Sequence, residues 1–130
     1  MKSRHESLPK PTEGELELLR VLWEKGQATV RELHDEVNRQ RAVGYTSVLK
    51  ILQIMTEKGL VLREESGKAH IYTAAASQEE TQRQLLRDLS TRLFSGSAAQ
   101  LAMHALAMEP ASAEELDEIR TLIERKRQMR

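Results

Sequence analysis

The sequence predicts a mainly α protein with one small β-hairpin, followed by a helical C-terminal region. Apolar residues recur at the helical period in six stretches. Between residues 60 and 73 the period changes to two, which is typical of a hairpin. Four helix starts show a Ser or Thr three positions before a Glu, the spacing of a capping box: Thr12, Thr29, Ser77 and Ser112.

Length and composition limit the class of protein. The 130 residues suffice for one domain, or for a small domain with an appendage. The chain has no Cys, which excludes disulfides, thiolate metal sites and a Cys nucleophile, and favours the cytoplasm. The sequence contains no run of about eighteen apolar residues, so no membrane-spanning helix is predicted. Residues 1–11 are polar and are predicted to form a flexible tail.

The first two helices are predicted over residues 12–25 and 29–38. Gly26 ends the first of them. The residues expected to face inward are Leu16, Leu19, Leu22 and Trp23 in the first helix, and Val30, Leu33 and Val37 in the second.

The third helix is predicted to begin at Tyr45, after Gly44 as its cap, and to end before Gly59. Its inward face is expected to hold Val48, Ile51, Leu52 and Met55. Its outward face then begins with small hydroxyl side chains and continues with longer ones: Thr46, Ser47, Leu49, Lys50 and Gln53.

The hairpin is predicted from "LVLREE" and "KAHIYT", which are separated by "SG", with Gly67 supplying a positive φ. On this register the tip "EESG" is acidic, and Arg63 and Lys68 lie at the base. Three helices followed by a hairpin make a winged helix-turn-helix domain over residues 12–76. In that arrangement the third helix enters the DNA major groove and the hairpin reaches the flanking backbone.

Charge distribution supports a DNA-facing surface, although the net charge is zero. Residues 12–38 hold three basic and seven acidic residues, whereas residues 39–68 hold six basic and three acidic. Hydroxyls can reach base edges, a leucine can pack on thymine methyls, and a lysine can reach phosphate or guanine. The predicted DNA contacts are Thr29, Arg39, Arg41, Tyr45, Thr46, Ser47, Leu49, Lys50, Arg63 and Lys68. Ordinary helix capping and surface charge are the alternatives.

The C-terminal region is predicted to form three helices over residues 78–94, 97–108 and 113–128. So few residues in short helices cannot bury their apolar surface against themselves. We therefore predict a homodimer held by residues 77–130; the alternative is that these helices fold back on their own winged helix. The predicted dimer contacts are Leu86, Leu89, Leu93, Leu101, Leu106, Leu116, Ile119, Leu122 and Ile123.

An enzyme is the least favoured class. The sequence has no phosphate-binding loop and no paired acid and base in a plausible pocket. Its four His residues are scattered without metal-ligand spacing. We therefore expect neither a cofactor nor a metal.

Several segments resemble one known family. They are "YTSVLKILQIMTEKGLV", "GKAHIYTA", "ETQRQLLRDL", "RLFSGS" and "SAEELDEIRTLIERKR". In this order, over residues 12–127, they are similar to the BlaI/MecI/CopY family of bacterial transcriptional repressors, which includes the penicillinase repressors. The resemblance implies a homodimer that binds a palindromic operator with TACA/TGTA-type half-sites through its winged helix.

The resemblance also implies a way to end repression. In the penicillinase-repressor branch, a membrane metallopeptidase sensor activated by a β-lactam leads to cleavage of an Asn-Phe bond in the dimerisation helices. Aligning the "SGS" turn places the bond at His104 and Ala105, where the aromatic residue is absent. We expect either a protease of different specificity acting between Leu101 and Leu106, or another signal.

The copper-sensing mode of the family is excluded because it needs a Cys motif. Two rival functions share the fold: a ligand-responsive winged-helix regulator, and a winged-helix protein-interaction module that does not bind DNA.

Overall fold

The computed structural model describes residues 9–129, and within them the chain is mainly helical with one two-stranded hairpin, as predicted. Most of the predicted tail, residues 1–8, lies outside the described part. None of the described helices is long and apolar enough to cross a membrane. The elements are α1 (Glu13–Lys25), α2 (Val30–Asn38), α3 (Tyr45–Lys58), β1 (Val61–Ser66), β2 (Ala69–Ala74), α4 (Gln78–Phe94), α5 (Ala98–Met108) and α6 (Ala113–Gln128).

Capping boxes begin four of these helices, as the sequence predicts. The Thr12 hydroxyl accepts from the Glu15 amide at 3.2 Å, and the Glu15 carboxylate accepts from the Thr12 amide at 2.8 Å. The same reciprocal pair occurs at Thr29, Ser77 and Ser112. Because each pair satisfies two amides of a first turn, the predicted helix starts agree with the structure to within one residue.

The core of the winged helix lies between α1, α2, α3 and the hairpin. Its largest fully buried side chains are Tyr72, Leu18, Leu19, Leu22, Leu33, Leu52, Met55, Val48 and Val61. Three details differ from the prediction. Leu18 is buried, whereas Leu16 is half-buried, and Ile51 is also half-buried at the edge of the core. Trp23 is half-buried as well, and its indole Nε1 donates to the Ala76 carbonyl at 3.0 Å.

The hairpin turn lies one residue later than predicted, which changes the partner of each strand residue by two positions. The pair Ser66 and Ala69 closes the turn, so the turn residues are Gly67 and Lys68. Gly67 has φ 63°, and glycine at the first turn position is typical of a type II′ hairpin. Lys68 therefore lies at the tip and not at the base, whereas Glu64 and Glu65 lie within β1.

A short bridge ties the helix-turn-helix to the hairpin. The Ala28 amide donates to the Tyr72 carbonyl at 3.1 Å, and the Tyr72 amide donates to the Ala28 carbonyl at 2.8 Å. The segment between α1 and α2 thus pairs with β2. This pairing fixes the position of α2 relative to the wing.

One carboxylate is buried at the edge of the core. Glu15 is 4% exposed, and Lys58 Nζ donates to its Oε1 at 2.7 Å. Burial alone would raise the pKa of Glu15, but hydrogen bonds from Lys58 and Thr12 outweigh it and lower that pKa. The ion pair joins the start of α1 to the end of α3.

The chain divides into two compact units, and the boundary falls inside α4. The first unit ends at Leu85 and the second begins at Leu86. The sequence placed the boundary between residues 76 and 77, at the cap of α4. In the second unit, α5 and α6 contain no buried residue.

Candidate DNA-binding surface

The first two turns of α3 present a polar face. Thr46, Ser47 and Lys50 are exposed, and Val48 on the opposite side is buried. No side chain caps the start of α3 after Gly44. The first amides of a helix lack intrahelical acceptors, and the helix dipole favours an anion at this end. The start of α3 can therefore bind phosphate oxygens or base edges.

Leu49 is less exposed than the sequence predicts. It is half-buried and packs against the core cluster, since it borders the apolar face of α3. Only the remaining part of its side chain can meet a thymine methyl. Its DNA contact stays a prediction, with a smaller surface than expected.

Two side chains of α2 contact the Tyr45 ring, and neither is among the predicted DNA contacts. The Arg31 guanidinium carbon lies 5.9 Å from the centre of the Tyr45 ring, in a cation–π arrangement. The His34 ring meets the Tyr45 ring edge-on at 5.8 Å. Arg31 lies in a mainly acidic segment, so charge distribution did not indicate it. The one signal in the sequence is its position on α2, one helical turn before residues 34 and 35, which lets it face α3.

The turn between α2 and α3 is held through both backbone polar groups of one residue, Val43. His34 Nε2 lies 3.0 Å from the Val43 carbonyl oxygen, and the Val43 amide donates to Asn38 Oδ1 at 2.9 Å. Val43 directly precedes the cap residue Gly44. Both bonds therefore act where the chain enters α3.

The two arginines of this turn already have acidic neighbours. Arg41 Nη2 and Nε donate to the Glu17 carboxylate on α1, at 2.8 and 3.4 Å. Hydrogen bonds to Glu17 raise the pKa of Arg41. Arg39 Nη1 lies 3.4 Å from Glu36 Oε1, with its side chain 76% exposed. To contact phosphate, Arg41 must break its hydrogen bonds to Glu17, whereas Arg39 must break only an exposed ion pair with Glu36.

The remaining predicted contacts lie on the wing and at the start of α2. Arg63 and Lys68 are both exposed, Arg63 across from Tyr72 in the strand pair and Lys68 at the tip. The Thr29 hydroxyl accepts from the Glu32 amide at 3.2 Å. A hydroxyl that accepts still has its own proton to donate, so Thr29 can cap α2 and contact a phosphate together.

Within residues 9–129, no three His, Cys, Asp or Glu residues are grouped so that they could hold a metal ion. His104, on α5, lies with its ring centre 5.2 Å from that of Phe94. This ring contact ties α5 to the end of α4.

The predicted dimer residues are largely exposed in the single chain. Leu93 is 67% exposed and Leu86 is 52% exposed, and only Leu101 and Ile119 of the set are half-buried. The second unit also has an open cavity of about 530 Å³, bordered by Leu86, Arg87, Ser90, Thr91, Gly96, Ala98, Leu101 and Ala102. The dimer contacts stay a prediction, and the exposure of these side chains leaves them available to a partner.

Comparison with known proteins decides the family. Residues 11–125 match the family model described as penicillinase repressor. The chain belongs to the penicillinase-repressor family. Members of this family are transcriptional repressors and not enzymes, which confirms the predictions of a DNA-binding repressor and of a chain that is not an enzyme. The helices and the two-stranded hairpin confirm the predicted winged-helix fold class.

This penicillinase-repressor chain is similar in sequence to two regulatory proteins and in fold to one solved structure. It is 32% identical to the transcriptional regulator BlaI of Mycobacterium tuberculosis (strain CDC 1551 / Oshkosh), over 76% of this chain and 72% of that protein. It is 19% identical to the methicillin resistance regulatory protein MecI of Mammaliicoccus sciuri, over 86% and 91%. The structure of monomeric Bacillus licheniformis BlaI with the blaP half-operator aligns with TM-score 0.50 and 19% identity, over 56% and 89%. That last likeness concerns the fold alone.

Proposed function

We propose that this penicillinase-repressor chain acts as a homodimer that binds a palindromic operator, with α3 of each protomer in the major groove of one half-site. The observation that carries the proposal is the exposed start of α3, where Thr46, Ser47 and Lys50 stand beside an uncapped helix end. The complex of Bacillus licheniformis BlaI with a half-operator supports the same use of the fold.

The exposed apolar faces of α4, α5 and α6 support the dimer. In a single chain Leu93 is 67% exposed and Met108 is 73% exposed. A second copy that covers such side chains would gain a stabilising free energy of about 25 cal/mol per Å² of apolar surface buried. We assign the cavity bordered by Leu86 and Leu101 to the same interface. The ligand-responsive alternative would instead place a small molecule there.

The dimer is tested by sedimentation of the full chain and of Leu93→Glu. Because Leu93 is exposed in the single chain, the substitution costs little in a monomer but places a charge in the interface of a dimer. We expect a dimer for the native chain and a monomer for Leu93→Glu. Leu62→Glu, on the hairpin and 62% exposed, is the matched control and should stay dimeric.

Operator binding is tested with a duplex that carries two inverted TACA/TGTA-type half-sites, a duplex with one half-site and a scrambled duplex of equal composition. We expect affinity to fall in that order, because two linked heads raise the effective concentration of the second contact to roughly millimolar. Equal affinity for all three duplexes would contradict the proposed operator. If the chain binds none of the three duplexes, the alternative of a winged-helix protein-interaction module is favoured.

Proteolysis or another signal ends repression in this proposal. His104 and Ala105 lie inside α5, so their peptide bond becomes accessible to a protease only when the helix opens locally. Cutting between Leu101 and Leu106 would separate the DNA-binding heads from part of the dimer surface and so remove bivalent binding.

The release step is tested in cells that carry the tagged repressor and receive a β-lactam, with fragments mapped by mass spectrometry. We expect no cut at His104–Ala105. A clean cut there would show that the family's cleavage position does carry over. An intact chain during derepression would exclude proteolysis, and purified protein released from DNA by a small molecule would identify a ligand-responsive regulator.

A further inference from the structure

We propose that His34 is a positioning residue for the recognition helix α3, acting through the Val43 carbonyl. The proposal rests on the proposed operator binding and adds to it a residue that does not itself contact DNA. His34 lies on α2, and its side chain is 19% exposed. It reaches across the turn to the last peptide unit before the cap of α3.

Both backbone polar groups of Val43 are bonded to α2. Because a carbonyl oxygen can only accept, His34 Nε2 carries the proton in its 3.0 Å contact with Val43. Asn38 accepts from the Val43 amide at 2.9 Å. The Val43 amide and carbonyl belong to the two peptide planes on either side of the Val43 Cα, so neither plane can rotate without breaking a hydrogen bond to α2. The orientation of the second plane, between Val43 and Gly44, sets the direction in which the chain enters α3.

The same imidazole also contacts the first residue of α3. Its ring meets the Tyr45 ring edge-on at 5.8 Å, and Arg31 lies over that ring at 5.9 Å. His34 therefore contacts α3 both through the backbone before its cap and through its first side chain. The other ring nitrogen, Nδ1, lies 3.2 Å from Asp35 Oδ1, whose side chain is 64% exposed, so solvent weakens that contact.

This arrangement matters for DNA because Thr46 and Ser47 follow directly. Short hydroxyl side chains reach base edges only when the helix start is placed to within a fraction of an ångström, and they cannot compensate for a shift as a long Lys can. We therefore expect loss of the His34 bond to weaken sequence-specific binding more than binding to scrambled DNA.

Three variants of the full-length chain separate positioning from stability: His34→Gln, His34→Asn and His34→Leu. The Gln amide nitrogen lies about as far along the side chain as His Nε2 and can still donate to Val43. The Asn amide is too short to reach it, and Leu has no donor. A bond that only stabilises the fold would change the unfolding midpoint, yet leave the affinity of the folded chain unchanged.

Affinity is measured on the inverted-repeat and scrambled duplexes, together with the thermal midpoint and the amide exchange rate of Val48, which bonds to the Gly44 carbonyl. We expect His34→Asn and His34→Leu to bind the inverted repeat about three- to tenfold more weakly, the equivalent of one hydrogen bond. His34→Gln should stay within about threefold of the native chain on the same scale.

Equal affinity of all four proteins for the inverted repeat would overturn the positioning role, as would a Gln variant as weak as the Leu variant. If the Leu variant unfolds, the Asn variant alone decides. Faster exchange of the Val48 amide in folded His34→Asn than in the native chain supports the proposal, and unchanged exchange together with unchanged affinity contradicts it. If the native chain binds no duplex in preference to the scrambled one, the proposed operator binding fails instead, and the role of His34 with it.

Discussion

At the level of single residues, the ion pair between buried Glu15 and half-buried Lys58 links stability to pH. The folded-state pKa of Glu15 is lowered, so its contribution to stability is fully present above the ordinary value of 4.5 and is lost as pH falls below it. We expect the free energy of unfolding of the native chain to decrease more steeply below pH 4.5 than that of Glu15→Gln. Chemical denaturation at pH 3 to 7 measures this, and parallel curves would contradict it.

Removing the partner of Glu15 tests the same pair at neutral pH. Lys58→Met keeps the length of the side chain but leaves the buried carboxylate without its cation. We expect unfolding to become easier by about 1 to 3 kcal/mol at pH 7, and the difference to shrink as Glu15 becomes protonated. Lys25→Met, at the exposed end of α1, is the control and should change stability little.

Lys50 is expected to contact DNA directly. In the folded Lys50→Ala protein we expect weaker operator binding and, if the contact is to phosphate, a salt dependence smaller by about one charge. Lys126→Ala, an equal loss of charge on α6, should leave both quantities unchanged. Unchanged affinity and slope in Lys50→Ala would remove Lys50 from the surface.

Glu17 is expected to compete with DNA for Arg41. Its carboxylate accepts two hydrogen bonds from the Arg41 guanidinium in the single chain. We expect Glu17→Gln to bind operator more tightly, with a steeper salt dependence, because Arg41 is then free to bind phosphate and one negative charge is lost. Glu17→Gln should give a smaller gain in an Arg41→Ala background than in the native chain; an equal gain in both backgrounds would mean that Arg41 does not contact DNA.

At the level of elements, the helices were predictable because their starts are encoded locally. Each capping box uses residues three apart, and the apolar stripe that follows needs no partner to be recognised. The hairpin turn was predicted one residue too early because "SG" and "GK" both offer a turn around Gly67. The pairing of Ala28 with Tyr72, which joins residues distant in sequence, gave no local signal.

The site was predictable in part for the same reason. The exposed face of α3 follows from helical spacing, and Thr46, Ser47 and Lys50 are exposed as expected. The Arg41 pair with Glu17 and the His34 bond to Val43 were missed, because each depends on how two helices approach one another. Leu49 was misjudged because it lies at the border of the apolar face.

The turn of the wing gives a test at this scale. Gly67 has φ 63°, where an L-residue pays roughly 1 to 2 kcal/mol. We expect Gly67→Ala to destabilise the hairpin. We expect it to reduce DNA affinity only if Lys68, at the tip, contacts the DNA backbone. Comparing Gly67→Ala with Lys68→Ala by denaturation and by DNA titration separates the two effects, and an unaffected hairpin stability would contradict the assigned turn.

At the level of the whole molecule, two separable units predict a folded but weakly binding fragment. The first unit ends at Leu85, and Trp23 needs the Ala76 carbonyl, so residues 1–85 should fold. We expect this fragment to be monomeric by sedimentation and to lose most of its preference for two half-sites over one, because bivalent binding is absent. A fragment that remains dimeric would place the interface in the winged helix.

Selection of random duplex DNA by the full-length chain, in parallel with Thr46→Ala, Ser47→Ala and Lys50→Ala, tests the central claim most directly. Each lost base contact should cost about 1 to 3 kcal/mol of discrimination. We predict that the native chain enriches an inverted repeat and that the variants relax it at the same positions in both halves. An enriched sequence without two-fold symmetry, a consensus unchanged in all three variants, or no enrichment would contradict the account.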